Sequence, residues 1–289
     1  MIELSHLLVS CFVVGAAALH APPKGAITVG GSKGQYANLS EALADNSSLI
    51  YFVFPGTYTD TAVIARDNVR VYGQTLLPGT YLGNSQSASF SDRHERMPLR
   101  IDFNRRVAGS NDASGTVQVH AMNVSLYNLN IANTYGKPVD QTPGPDSDRD
   151  LVYFRDTLLA NVGAQYYANS WIEGAVDFTI RDGNITASGR PSDDGFWYGN
   201  GTQTYLGRPW RDYARVVYQF CHLGKGVPAV GWQPWHPDDL RIDHVTFAEY
   251  GNTGPGADGR RANFSTHLHA PISMHTVLNS TDWIDPAFL

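Results

Sequence analysis

Val117-Gln-Val-His-Ala-Met-Asn-Val-Ser-Leu-Tyr-Asn-Leu-Asn-Ile131 sets apolar side chains at every second position and interrupts them with asparagine. Alternation of that period is the mark of a strand, whose successive side chains point to opposite faces. Asparagine tolerates the left-handed backbone of a tight corner, so its place between the apolar runs marks a bend. Strand, Asn corner and strand in close succession is the texture of a parallel solenoid. There, coils of roughly 20 to 25 residues stack and inward side chains form ladders.

The same texture extends outward from this stretch. Ile50-Tyr-Phe-Val-Phe54, Val69-Arg-Val-Tyr72, Leu151-Val-Tyr-Phe154 and Arg215-Val-Val-Tyr-Gln-Phe220 are short β-rich runs separated by Gly, Asn and Asp, with no long amphipathic helix between them. Many short strands without helices mean a sandwich, a barrel or a solenoid, and the Asn corners favour the solenoid. Ala26-Ile-Thr-Val29 reads as a first strand, and Tyr36 to Ala44 as a short helix capped by the Gly/Ser segment before it. Gly83 to Arg96 and Lys137 to Asp150 have the Gly, Pro and Asp content of linkers. The apolar stretch from Ile272 to Leu289 is expected to serve as a capping segment, which solenoid ends require. The residues thus point to an all-β class, with a sandwich or barrel still open and a parallel β-helix with a short N-terminal helix and a C-terminal cap favoured.

Composition excludes other classes. Of 289 residues 17% are charged and 11% aromatic, which rules out disorder, coiled coil and collagen. The net charge is −6 and no Lys/Arg run is present, so nucleic acid is not an expected partner. The one long apolar run, LLVSCFVVGAAAL from Leu7 to Leu19, is too short to span a bilayer. It fits a signal-peptide core, with small residues at Ala16 to Ala18 or Ala21 for cleavage; an N-terminal buried strand is the alternative, since Glu3 and no Lys or Arg precede the run. Residues 1–21 are thus read as a leader and 22–289 as a single domain, secreted and extracellular, with no membrane span and a monomer as the expected state. Loss of the leader removes Cys11, and the remaining Cys221 reads as a small buried apolar residue. Seven Asn-x-Ser/Thr sequons, at Asn38, Asn46, Asn123, Asn184, Asn200, Asn263 and Asn279, agree with an extracellular glycoprotein.

Few stretches carry chemistry. Gly30-Gly31-Ser32-Lys33-Gly34 matches a nucleophile elbow, but it stands too near the mature N-terminus for the sheet an elbow requires, and reads as a Gly-rich turn before the helix. His267-Leu-His269 has strand spacing for two metal ligands and no third, and is read as surface. The strongest constellation is Asp156, Asp177 and Arg208. Twenty-one residues separate the two aspartates, close to one coil, so they would stack on adjacent rungs. Carboxylates held that close do not both ionise easily, which makes one an acid and leaves the other as nucleophile or base. Arg208, returning on a later rung, would keep one of them ionised through a charge-assisted fork. The competing reading is that each Asp merely closes a turn.

YFRDTLLANVGAQYYANSWIEGAVDF (153–178), TYLGRPWRDYARVVYQ (204–219) and AVGWQPW (229–235) resemble the signature segments of pectin methylesterases of the fungal secreted type. Gly56-Thr-Tyr58, Val71-Tyr-Gly-Gln74, Leu126 to Asn133 and Phe247-Ala-Glu-Tyr-Gly251 are similar to that family in the same order, so the resemblance covers most of the chain. It implies a right-handed parallel β-helix that hydrolyses galacturonate methyl esters of pectin (homogalacturonan), releasing methanol and pectate. By resemblance, Asp177 is the nucleophile on the ester carbonyl and Asp156 the acid that protonates departing methanol. Arg208 holds Asp177 ionised, Trp210 and Trp232 stack on sugar rings, and no metal or organic cofactor is implied.

The chain departs from the pattern at the oxyanion donors. The family's glutamine directly before the acid is Arg155 here, and the segment carrying its second glutamine is absent, with Gln141 nearest to where it should start. Arg155 and Gln141 join Trp210 and Trp232 as the expected substrate-binding set. The stretch from Arg181 to Arg208 is short by about one coil. These losses imply either a weakened homologue or a sequence from which coding segments are missing, and the abrupt junctions beside intact motifs favour the second. The alternative function is a catalytically silent pectin binder using Arg155, Arg181, Arg208 and Arg211 as a basic groove. A third reading, a polygalacturonase or lyase, is disfavoured by LGRPW and GAVDF.

Overall fold

The computed structural model describes residues 10–11, 19–75, 88–91, 117–132, 163–167, 170–174, 183–187, 205–209, 211–224 and 226–288. The chain forms two compact units: residues 1–146, 161–166 and 274–289, and residues 147–160 and 167–273.

The strands of the first unit are β1 (Ser10–Cys11), β2 (Ile27–Val29), β3 (Ile50–Val53), β4 (Gly56–Thr59), β5 (Ala62–Ile64), β6 (Arg70–Gly73), β7 (Ala88–Ser91), β8 (Val117–Val119), β9 (Val124–Tyr127) and β10 (Asn130–Ala132). They make three ladders, β1-β9-β6-β3-β2, β10-β7-β4 and β5-β8, each parallel throughout. Consecutive strands β3, β4 and β5 join different ladders, and β6 returns to the first with Tyr51 beside Val71. That return after 20 residues is the coil of a parallel solenoid. The next turn is longer, since Arg70 pairs with Ser125. It includes β7, so the linker-like stretch from Gly83 to Arg96 holds a strand; Ala88-Ser-Phe-Ser91 gains from its two parallel neighbours what its weak local pattern did not announce.

Ladder formation explains the core. Ile27, Tyr51, Val71 and Leu126 stand in register on four strands and all are buried. The alternate side chains Phe52, Tyr72 and Tyr127 face the other way and are buried too. Around Tyr72 and Tyr127 the cover is the C-terminal segment: Phe288 stacks on Tyr127 at 4.2 Å, and Tyr127 on Tyr72 at 4.8 Å. Tyr72 donates to Asp285 Oδ2 (2.8 Å), and Arg70 Nε to the Trp283 carbonyl (3.1 Å). Burial, and then the Asp285 carboxylate, push the Tyr72 phenol well above its ordinary pKa. Of the cap expected at 272–289, Trp283 to Phe288 lie over this face of the first ladder, with Met274–Leu278 as a short helix before them.

Corners behave as the sequence reading requires. Asn68 and Asn123 both adopt the left-handed backbone, with φ of 62° and 55°, and Asn123 Nδ2 donates to Asn68 Oδ1 at 3.1 Å. The helix spans Leu39–Leu43, and its cap is Asn38, whose Oδ1 accepts from the Glu41 amide at 2.9 Å, in place of the Gly/Ser segment. The Gly30-Gly31 pair makes the expected turn, closed by Gly30 N donating to the Tyr36 carbonyl. At Gly30 φ is +76°, and a Cβ would fall on the phenol of buried Tyr58, itself donating to the Phe54 carbonyl. Gly30→Ala is expected to destabilise the protein by about 1–3 kcal/mol, read from the urea unfolding midpoint. An unchanged midpoint would show that Tyr58 swings away without loss.

Ser10 and Cys11, inside the apolar run of the expected leader, pair with Val124 and Ser125 of β9. Among the described residues no helix is long and apolar enough to cross a membrane. Lys137 to Asp150 lies outside the described residues.

Among the described residues the second unit has two parallel ladders. One is β11 (Ser170–Gly174), β12 (Gly183–Ala187) and β14 (His222–Leu223); the other is β13 (Arg215–Gln219), β15 (Thr246–Tyr250) and β16 (Ser265–His267). Cys221, between β13 and β14, is fully buried, as a small apolar residue would be.

Candidate active site

Of the sequence-derived site residues, Arg208 and Trp232 are described, whereas Asp156, Asp177, Arg155, Gln141 and Trp210 lie outside the described residues. Arg208 follows Leu206-Gly207, which pairs with the segment after the 224–231 loop: Leu206 N donates to the Gly231 carbonyl at 2.7 Å, and Gln233 N to the Gly207 carbonyl at 3.2 Å. Gly207 and Trp232 form the parallel bridge between them. Glycine is required at Gly231 and leaves close but not prohibitive room at Gly207. A Cβ on Gly207 would stand 3.2 Å from Trp232 Cζ3, while Gly231 has φ +66° and admits the Arg261 side chain where its own Cβ would be. Tyr218 of β13 donates to the Leu206 carbonyl at 2.8 Å, anchoring the same segment from below.

Trp232 is 1% exposed, which corrects the expectation that it stacks on sugar rings. Its indole lies on Phe247 at 4.6 Å, meets Tyr218 edge-on at 5.6 Å and donates through Nε1 to Glu249 Oε1 at 2.9 Å. Its faces are filled by protein.

Trp235 lies three residues on. It is half-buried, with the Arg208 guanidinium 5.4 Å from its ring centroid and that of Arg241 at 5.2 Å. Cation–π attraction to the indole holds both guanidinium groups within reach of one aromatic surface. Arg241 is fixed further by Asp239, at 2.7 Å from Nη2, and that hydrogen bond raises its pKa, with Asp212 adding to the effect. Nearby in sequence, Tyr213 is 68% exposed and stacks on His244 at 4.9 Å. Arginine forks beside aromatic faces suit an acidic sugar, because the forks match carboxylates and the rings match the apolar faces of pyranoses. Of the basic groove, Arg208 and Arg211 are described and Arg155 and Arg181 are not. His267 and His269 are both exposed, as read from the sequence.

Beneath this surface lies a charged cluster that sequence reasoning passed over. Glu249, buried on β15, accepts from Arg261 Nε (2.8 Å) and Nη2 (3.0 Å), from Trp232 Nε1 and from Asn252 Nδ2 (3.2 Å). Its signal was Phe247-Ala-Glu249, where an acidic residue shares a strand face with an apolar one two positions away.

The family model described as Pectinesterase matches residues 180–280. A pectinesterase of Aspergillus niger is 32% identical, with 95% of this chain and 95% of the relative covered, and one of Aspergillus aculeatus is 31% identical over 94% and 95%. The first alignment runs over 325 positions against 289 residues, so at least 36 of them (325 − 289) stand opposite gaps in this chain. Among solved structures, the pectin methylesterase from Aspergillus niger in deglycosylated form has a TM-score of 0.66 at 30% identity, covering 94% of this chain and 100% of that one. The pectin methylesterase from carrot, at 17% identity and a TM-score of 0.56, has the same fold, with 94% and 98% covered.

Proposed function

The chain belongs to the pectinesterase family, and from that premise we propose the residues by which it hydrolyses the methyl esters of pectin. Asp177 attacks the ester carbonyl, Asp156 protonates the departing methanol, and water then cleaves the acyl-enzyme with Asp156 as base. Ester and water become carboxylate and methanol, and both aspartates return to their starting state. Arg208 keeps Asp177 ionised and aimed. Arg155 supplies N–H donors where the family has glutamine, at the expense of a lower Asp156 pKa, because a neighbouring cation favours the carboxylate. Trp235 takes the sugar-stacking role first given to Trp232, beside Trp210. Gln141 completes the substrate-binding set.

The observation that carries this reading is Arg208, half-buried on Trp235 by a backbone bridge that fixes its approach. The protein acts outside the cell as a monomeric domain over 22–289. Support for this comes from the apolar run before residue 21 and from relatives matched along 95% of the chain. The test uses protein recovered from culture medium. It is expected to begin after one of Ala16 to Ala18 or after Ala21, to sediment as a monomer and to release methanol from highly methylated pectin. Arg208→Lys keeps the charge but loses the fork, and is expected to lower that rate by about 100-fold. Full activity in Arg208→Lys would remove Arg208 from the site. Pectin retention without methanol release would favour the silent binder.

A further inference from the structure

We infer that Glu249 and Arg261 are positioning residues for the reaction, acting through Trp232 on Arg208; this rests on the reading of Arg208 given above. Two residues of β15 on one strand face fix the plane and the rotation of the indole, with Tyr218 against its edge. Phe247 sets its plane by stacking at 4.6 Å, and Glu249 sets its rotation in that plane by accepting from Nε1 at 2.9 Å. The backbone of Trp232 bridges Gly207, the residue directly before Arg208. Rotation of the indole therefore passes to the segment that aims the guanidinium.

Arg261 locks the other end. Its Nε and Nη2 grip the Glu249 carboxylate, while Nη1 donates to the Ala229 carbonyl at 3.0 Å and Nη2 to the Gly256 carbonyl at 2.8 Å. One guanidinium thus ties β15 to the loop that ends at Gly231 and to the turn at Gly256. Apolar residues of similar volume in place of the ion pair would lose chiefly the acceptor of Trp232 Nε1 and Asn252 Nδ2, since the desolvation of a buried ion pair offsets its attraction. What they could not supply is direction. A four-donor carboxylate admits one orientation of each donor, and a reacting group displaced by an ångström loses about 100-fold in rate.

The test separates geometry from chemistry. In nitrogen-15 NMR of the full chain, the Arg208 Nε–H signal, assigned by its loss in Arg208→Lys, is shifted by the ring current of Trp235. Trp232→Phe keeps an aromatic ring against Phe247 and removes the Nε1–H together with the pyrrole ring, so its melting temperature is read alongside; Glu249→Gln keeps the packing and an acceptor and removes only the charge. Both are expected to move the Arg208 signal and to lower kcat on highly methylated pectin by on the order of 10-fold, with KM unchanged. The acid limb of the pH profile should move to higher pH, because a guanidinium that withdraws from a carboxylate lets its pKa rise. Arg261→Lys should restore neither, since lysine lacks the fork. An unmoved Arg208 signal in both variants overturns the inference whatever the activity. So does a fall in melting temperature with kcat and acid limb unchanged. A moved signal with a fully active Arg208→Lys would sink the assignment of Arg208 instead, leaving nothing to position.

Discussion

Asp177→Asn is expected to bring methanol release from highly methylated pectin to background, a loss of at least about 10⁴-fold in kcat. The amide has the shape of the carboxylate but not its charge, so binding of the polymer should survive while the acyl-enzyme does not form. A carboxylate is a poor nucleophile in water and works here only if it is held ionised and desolvated beside Arg208, with donors ready for the oxyanion. Asparagine removes the one element that no neighbour replaces. Methanol measured against time, with pectin retention on the same samples, decides the matter. A variant that still releases methanol at more than about one hundredth of the wild-type rate would mean that another group attacks the ester. The same experiment weighs Arg155: if the wild type is active, then Arg155 or backbone N–H groups serve where the family has glutamine.

Arg261→Ala is expected to destabilise the protein by about 3–5 kcal/mol, because it strands a buried carboxylate. The Arg261 side chain is 16% exposed and that of Glu249 7%, so water does little to compensate. The substitution also leaves the Ala229 and Gly256 carbonyls without their donor, adding to the loss. Urea unfolding followed by tryptophan fluorescence measures it, since the indole of Trp232 donates to the same carboxylate. The control is the double variant Glu249→Leu with Arg261→Met, which removes both charges and should recover part of the stability, the remainder being lost with the acceptor of Trp232 Nε1 and Asn252 Nδ2. If the single and double variants unfold at the same midpoint, stranding of the charge is not the cause, and lost side-chain packing is.

Much of the architecture was legible from residue types. Period-two apolar runs and asparagine corners pointed to stacked parallel strands, and Asn68 over Asn123 is that pattern realised. The strand at Ala88–Ser91 was not legible, because a short serine-rich run has little preference of its own and is held by β4 and β10. Arg208 was recognisable from LGRPW, and its setting was not. Nothing in AVGWQPW says which tryptophan is enclosed; that follows from the close approach of two glycines and from Phe247, brought up by a neighbouring strand.

Local chemistry and periodicity, which act over a few residues, let the sequence by itself determine the fold class, the family and the candidate catalytic side chains. Burial depends on what other strands bring near, at separations of tens of residues. Only the tertiary structure decided that Trp232 is a pillar, that Trp235 faces the arginines, and that Glu249 and Arg261 lie joined beneath them.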